Sequence, residues 1–383
     1  MGCRMEAEIT VEPIVISGTG LYTPAQTISN EELVESFNTY VREFNAEHAD
    51  AIAAGTVEPL QDSSAEFIVK VSGIEHRYVM DKAGVLDTAI MAPRLRERSD
   101  DEPSIMCEMA VAAATDALAA AQVEPAEIDC VLVGCSNMER AYPAIAIEIQ
   151  AQLGATGYGY DLNVACSSAT FAIQAAVGAI RSGSATRVLV VNPEICSGHL
   201  NFRDRDSHFI FGDACTALVI EPASSVRHER GFEILGIKVA TRFSNNIRNN
   251  FGFLNRARPD SADAPDKLFV QAGRKVFKEV CPMVADLIRA HLDELALRSD
   301  DIKRMFLHQA NLSMNRLIGK RVLGREPTPE EAPTILDEYA NTSSAGSIIA
   351  FHKHSGGLAP GDLALICSFG AGYSIGNVVV RTR

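Results

Sequence analysis

Glu127-Ile-Asp-Cys-Val-Leu-Val-Gly-Cys-Ser-Asn137 aligns without gaps against Asp301-Ile-Lys-Arg-Met-Phe-Leu-His-Gln-Ala-Asn311. Each stretch reads as an acidic turn, a short apolar strand and a small or polar strand exit. Each also follows a segment whose apolar residues recur at helical spacing, near 105–122 in the first case and 273–297 in the second. Pro282 predicts a break in the second helix, because proline removes a backbone donor and clashes with the preceding turn. A looser correspondence joins Phe211-Gly-Asp-Ala214 to Phe369-Gly-Ala-Gly372, each leading into an apolar strand late in its half. A unit used twice predicts two similar α/β halves, 1–225 and 226–383, with buried strands covered by helices on both faces.

Composition narrows the function classes. The chain has 383 residues, 47% of them hydrophobic, which allows a large buried core, and a formal net charge of −14. That charge argues against a nucleic-acid binder, which needs clustered cations to track phosphates. No apolar run approaches the roughly 20 residues that span a bilayer, and residues 1–13 lack the segments of a signal peptide, so a cytoplasmic location is expected. Met1-Gly-Cys3 has a superficial likeness to a lipidation start, but Glu6 stands where the myristoylation pattern has Ser or Thr. The nine cysteines form no C-x-x-C pair, and His352 and His354 lack neighbouring ligands, so neither a disulfide frame nor a metal site is expected.

One cysteine stands apart. Cys166 lies in Asp161-Leu-Asn-Val-Ala-Cys-Ser-Ser-Ala-Thr170, where an apolar run stops and a helix of small residues begins. Apolar positions at Phe171, Ile173, Ala176, Val177 and Ile180 set that helix, and Gly183 ends it. The pattern predicts Cys166 on the first turn, where free N–H groups and the helix dipole lower a thiol's pKa below its ordinary value of roughly 8.5. A buried structural cysteine is the other reading. Two later segments end elements on polar residues: Met305-Phe-Leu-His-Gln-Ala-Asn311 exits a strand at His308, and Tyr339-Ala-Asn-Thr-Ser-Ser-Ala-Gly346 places Asn341 in a turn of small residues. Taken singly, His308 reads as structural and Asn341 as a cap.

Taken together the strings resemble the thiolase-superfamily condensing enzymes, most closely β-ketoacyl-acyl-carrier-protein synthase III. Asn163-Val-Ala-Cys-Ser-Ser168 resembles that family's nucleophile turn, His308-Gln-Ala-Asn311 its His motif and Asn341-Thr-Ser-Ser344 its Asn motif. Phe211-Gly-Asp-Ala-Cys-Thr-Ala217 and Ser368-Phe-Gly-Ala-Gly-Tyr-Ser-Ile-Gly376 resemble its two glycine-bearing strand turns. The five strings stand in the family's order over most of the chain. The resemblance implies a duplicated five-layered αβαβα fold, a homodimer, and additions at about 30–65 and 80–103 that form surface helices or a cap near the substrate entrance.

The resemblance also implies a decarboxylating Claisen condensation. An acyl primer is carried on Cys166 and joined to a malonyl thioester with help from His308 and Asn341, in the setting of fatty-acid initiation. The substrates are an acyl-coenzyme A primer and malonyl-acyl-carrier protein, with no separate cofactor. The oxyanion hole falls to the backbone N–H groups of Cys166 and Ala371, where relatives commonly have Gly at the latter position. Phe67, Arg205, Phe277 and Asn311 match coenzyme A contacts, although Val71 and Ser313 replace basic residues of the family pattern. Tyr142 matches a position that shapes the acyl pocket, often from the neighbouring subunit. Lys278, Arg316, Lys320 and Arg321 form a cationic cluster suited to an acidic carrier protein; a solvated helix face is the plainer reading. A polyketide-type condensing or acyl-transfer enzyme is the alternative within enzymes, and a non-catalytic partner subunit the alternative outside them.

Overall fold

The computed structural model describes residues 12–383, so Cys3 and the Met1-Gly-Cys3 start lie outside the described residues. In chain order the first strands are β1 (Ile14–Tyr22), β2 (Gln26–Ser29), β3 (His76–Val79), β4 (Cys130–Gly134) and β5 (Tyr158–Leu162). They are followed by β6 (Val188–Ile195), β7 (Asp213–Pro222), β8 (Phe232–Ser244), β9 (Ile247–Arg248) and β10 (Val270–Gln271). The last are β11 (Ile302–Leu307), β12 (Leu363–Gly370) and β13 (Gly372–Thr382). The helices are α1 (Asn30–Glu47), α2 (Ala49–Ala53), α3 (Ala65–Ser72), α4 (Lys82–Leu86), α5 (Ile105–Ala121) and α6 (Ile145–Leu153). Beyond them lie α7 (Ser168–Ser182), α8 (Gly273–Glu294), α9 (Leu312–Leu323), α10 (Leu336–Tyr339) and α11 (Ala345–His354).

Nine strands form one mixed sheet in the order β11-β12-β13-β8-β1-β7-β6-β4-β5. Outward from the central β1–β8 contact, the two sides repeat one pattern. On one side β1 pairs antiparallel with β7, β7 antiparallel with β6, and β6 parallel with β4. On the other, β8 pairs antiparallel with β13, β13 antiparallel with β12, and β12 parallel with β11. The two aligned sequence stretches therefore end on equivalent strands, β4 and β11. Every residue of β4 is buried, as expected of a parallel strand covered on both faces.

Helices supply the other layers. α7 and α11 are rich in small residues and each touches strands from both sides of the sheet order, α7 against β4, β6, β12 and β13, and α11 against β1, β7, β11 and β12. Their buried faces (Ala169, Ile173, Ala176, Ile348, Phe351) share one core with Leu132, Val190, Ile366 and Val378. α5 and α6 cover the outer face of the first strand set, and α8 and α9 that of the second. The result is the five-layered αβαβα arrangement expected from the sequence. Close approach fixes the α5–β1 contact: a Cβ on Gly20 would sit 1.9 Å from the Ala113 carbonyl oxygen.

α8 runs unbroken from Gly273 to Glu294 with Pro282 inside it, contrary to the expected break. Val276, Val280, Val284, Ile288 and Leu292 bury one stripe against the second core, and this packing outweighs the lost backbone hydrogen bond. The expected addition at about 30–65 carries α1 and α2 and runs to the start of α3. Ser29 starts α1 with a reciprocal capping box to Glu32, and Leu33, Phe37 and Val41 pack onto Phe202, Phe209 and Phe211. Segment 80–103 contains only α4 and irregular chain.

Candidate active site

Three turns meet where the two strand sets face each other. Between β5 and α7, Ala165 takes a left-handed conformation (φ 47°) that turns Cys166 out of the chain. Ser168 holds this turn, its Oγ accepting the Val164 N–H at 2.9 Å. The Asn341 turn precedes α11 and carries two more left-handed non-glycine residues, Ala340 (φ 55°) and Ser343 (φ 49°). Each such residue costs about 1–3 kcal/mol, which the surrounding hydrogen bonds must offset. Asn341 is tied to the β7 approach, its N–H donating to Ile210 at 3.0 Å and its carbonyl accepting from Gly212 at 3.1 Å. The third turn, Gly370-Ala371-Gly372, joins β12 to β13. Ser374 Oγ binds it to the nucleophile turn, lying 2.9 Å from the Ala371 carbonyl and 2.9 Å from Ser167 Oγ.

Cys166, His308 and Asn341 line one cavity of about 250 Å³, together with Phe211, Phe369 and Gly370. His308 follows β11 and is held by its N–H on the Cys367 carbonyl (2.8 Å) and by the edge of its ring against Phe369 (centroids 5.2 Å). Burial pushes the imidazole down to about 4, the Ser343 carbonyl opposing weakly, so the ring is neutral at pH 7. Nδ1 is buried without a partner, which leaves Nε2 as the nitrogen with access to the cavity. Asn341 Oδ1 accepts the Ser343 N–H at 2.9 Å, which fixes the amide with Nδ2 as its free donor.

The thiol departs from expectation. α7 begins at Ser168, so Cys166 precedes the helix by two residues and is not on its first turn. Burial raises the thiol to about 11, with the Glu194 carboxylate adding to the rise. The Ser343 hydroxyl and the N–H groups of Cys166 and Ala371 oppose it without reversing it. Desolvation wins over the helix terminus, and the resting pair is a neutral thiol beside a neutral imidazole. The same N–H groups that act on the sulfur are the two expected to form the oxyanion hole. Close approach calls for glycine at 370: a Cβ there would lie 2.7 Å from Cys166 Cβ and 3.0 Å from its Sγ. Gly372 does have positive φ, at 130°.

The other sequence-predicted positions are distributed differently. Phe277 and Asn311 line the cavity, but Asn311 Oδ1 caps α9 through the Ser313 N–H (2.9 Å) while Nδ2 donates to the Val71 carbonyl. Phe67 and Arg205 stack on each other, the guanidinium carbon 4.6 Å from the ring centroid, and Arg205 Nε donates to the Asp62 carbonyl at 2.8 Å. No ring fits between the two in this arrangement. Tyr142 is 85% exposed and does not line the thiol cavity of its own chain. Lys278, Arg316, Lys320 and Arg321 are exposed on the packed helices α8 and α9, with Lys320 paired to Glu326 at 2.8 Å.

Sequence reasoning missed Ser343, Ser344 and Glu194. The two serines stood inside the quoted Asn motif. Glu194 carried one signal, an acid at the end of the apolar run Val188–Val191.

A partly buried thiol, a neutral imidazole and an amide donor around one cavity of a five-layered αβαβα fold are the groups a condensing enzyme needs. Residues 160–242 match the 3-oxoacyl-[acyl-carrier-protein] synthase III family and residues 292–382 its C-terminal part. The chain is 61% identical over 348 residues to a β-ketodecanoyl-[acyl-carrier-protein] synthase of Pseudomonas aeruginosa, covering 91% of this chain and 99% of that one. It is 30% identical over 341 residues to a β-ketoacyl-[acyl-carrier-protein] synthase III of Brucella anthropi, covering 85% and 93%. The structure of 3-oxoacyl-[acyl-carrier-protein] synthase III from Aquifex aeolicus VF5 superposes with a TM-score of 0.74 at 24% identity, over 96% of this chain and 99% of that one. The protein belongs to the β-ketoacyl-[acyl-carrier-protein] synthase III family, and is a condensing acyltransferase of fatty-acid synthesis. Among the described residues no helix is long and apolar enough to cross a membrane.

Proposed function

We propose that the protein joins a medium-chain acyl primer to malonyl-acyl-carrier protein, with Cys166 as nucleophile and His308 and Asn341 as donors to the malonyl thioester. The carrying observation is that these three side chains, distant in sequence, line a single cavity. The thiol attacks the primer's thioester carbon, and its proton leaves with the departing thiol. The N–H groups of Cys166 and Ala371 hold the tetrahedral oxyanion. In the second half-reaction carbon dioxide leaves the malonyl group and charge gathers on its thioester oxygen. His308 Nε2–H and Asn341 Nδ2–H receive that charge, each such donor worth about 3–4 kcal/mol. The new carbon nucleophile attacks the acyl-cysteine and expels the Cys166 thiolate, leaving a β-ketoacyl thioester on the carrier. A neutral His308 suits this role, since it donates without a strong base being needed.

The primer length follows from the Pseudomonas relative, whose name gives a ten-carbon β-keto product; removal of the two malonyl-derived carbons leaves an eight-carbon primer. The donor is acyl-coenzyme A, which requires the Phe67–Arg205 stack to part before an adenine can enter, with Phe277 and Asn311 at the cavity below. Lys278, Arg316, Lys320 and Arg321 form the carrier-protein surface. The chain acts as two halves, 1–225 and 226–383, the first supplying the thiol and the second the two donors; the repeated strand pattern supports this. We read the edge strand β5, with Tyr158 and Tyr160 exposed, as the seam of a homodimer in which Tyr142 closes the partner's acyl pocket. The test is to offer short, medium and long acyl-coenzyme A thioesters together and weigh the intact acyl-enzyme. Dominance of the eight-carbon adduct supports the reading, and an acetyl adduct alone overturns the primer assignment.

A further inference from the structure

We propose that Glu194 is a positioning residue for the condensing step, its buried carboxylate tying the turn that bears Asn341 to the turn that bears Cys166. The inference rests on the functional reading above and deepens it. Glu194 lies one residue before the end of β6 with 1% of its surface exposed; burial pushes its carboxyl up, the serine hydrogen bonds oppose the rise, and no lysine or arginine pairs with it among the described residues. In place of a cation it has five donors within reach, four from two serines and the Cys196 thiol at 3.7 Å. The N–H and Oγ of Ser136 reach it at 3.0 and 2.5 Å, and the N–H and Oγ of Ser344 at 3.1 and 2.5 Å. Ser344 Oγ also lies 3.0 Å from the Gly134 carbonyl, so its one proton has two acceptors within reach, and Glu194 Oε1 at 2.5 Å is the nearer.

The path continues to the nucleophile. Asn163 Nδ2 donates to the Ser136 carbonyl at 2.8 Å, and Asn163 Oδ1 accepts the Ala165 N–H at 2.9 Å. Ala165 and Ser343 are the left-handed residues next to Cys166 and Ser344, so the polar path Asn163–Ser136–Glu194–Ser344 spans the two constrained turns. Three of the serine hydrogens converge on Oε1 and the Ser136 hydroxyl reaches Oε2, so a carboxylate accepts all four, whereas an amide with its oxygen in the Oε1 place would aim its N–H groups at Ser136 Oγ. The clamp has an electrostatic consequence, since its charge disfavours the Cys166 thiolate. The titratable groups facing Glu194 are Cys135 beyond β4, Cys196 on its own strand exit, Cys215 on β7 and Cys166, with Asp213 next to Cys196.

The experiment compares wild type, Glu194→Gln and Ser344→Ala as full chains, measuring acyl loading by intact mass, malonyl-dependent release of carbon dioxide, and the pH profile of Cys166 alkylation by iodoacetamide. For Glu194→Gln the expected result is loading within about threefold of wild type. The turnover of the malonyl step should fall about 10- to 100-fold with KM changed far less, the scale set by a misplaced catalytic group. The alkylation profile should also move to lower pH, because a negative charge has gone. Ser344→Ala should slow the malonyl step while leaving the alkylation profile in place. Wild-type turnover of carbon dioxide in folded Glu194→Gln, or in Ser344→Ala if the former does not fold, would overturn the proposal. So would an unmoved alkylation profile in folded Glu194→Gln. Failure of the functional reading would show separately, as wild-type protein that loads no primer.

Discussion

Gly370 lies so close to Cys166 that there is no room for a methyl group between them, a Cβ falling 2.7 Å from the cysteine's own. The contact joins the β12–β13 turn to the turn before α7, and sets the Ala371 N–H beside the sulfur. Gly370→Ala should therefore push the two turns apart and remove an oxyanion donor from register. We expect acyl loading of Cys166 to fall at least about tenfold, since loss of one such donor costs about 10²–10³ in rate. Intact-mass kinetics checks this, and unchanged loading would show that the turn relaxes without cost.

In the proposed mechanism His308 and Asn341 act on the second substrate and not on the first. His308→Ala and Asn341→Ala should each leave primer loading within a few-fold of wild type and lower carbon dioxide release by about 10²–10³. Measuring the two half-reactions separately makes the distinction, and equal losses in both would place the residues in loading instead.

The thiol of Cys166 is raised to about 11 by burial. Alkylation by iodoacetamide follows the thiolate fraction, so its rate should climb about tenfold per pH unit from pH 7 to pH 9 without levelling. A plateau near neutrality would mean that the helix terminus outweighs desolvation after all.

Three histidines shielded from solvent, His208 and His308 buried and His199 partly so, make the fold acid-sensitive. Burial depresses His199, His208 and His308 to about 4, so between about pH 6.5 and 4 the unfolded chain binds protons that the folded chain refuses. Stability is then present above pH 6.5 and is lost as pH falls toward 4, by about 3 kcal/mol per histidine at the acid end. His208→Phe keeps the stack on Phe37, whose ring centroid is 4.4 Å away, and should narrow the stability difference between pH 7 and pH 4.5 by about 2–3 kcal/mol. Denaturant unfolding at the two pH values measures it; an unchanged difference would exclude His208 as a source.

Much of the architecture was legible because buried parallel strands read as unbroken apolar runs, which is why the stretches at 127–137 and 301–311 could be aligned and proved to end equivalent strands. Cys166, His308 and Asn341 were legible for a related reason: each closes an element at a change from apolar to small residues. What failed was whatever depends on surroundings. Pro282 breaks a helix by local rules, yet the stripe from Val276 to Leu292 holds α8 together. A cysteine near a helix start reads as a thiolate until its burial is known. Arg205 looks free in sequence and proves to be stacked on Phe67 from another element. Glu194 showed only its place after an apolar run, because its partners stand 58 and 150 residues away and no local pattern links such an acid to two serines.

The most direct test of the account is peptide mapping of the acyl-enzyme formed with octanoyl-coenzyme A, before and after addition of malonyl-acyl-carrier protein. The account predicts an octanoyl group on Cys166 alone that disappears with release of carbon dioxide and formation of a β-ketodecanoyl carrier thioester. An acyl group on another cysteine, or one on Cys166 that the malonyl carrier fails to discharge, would contradict it.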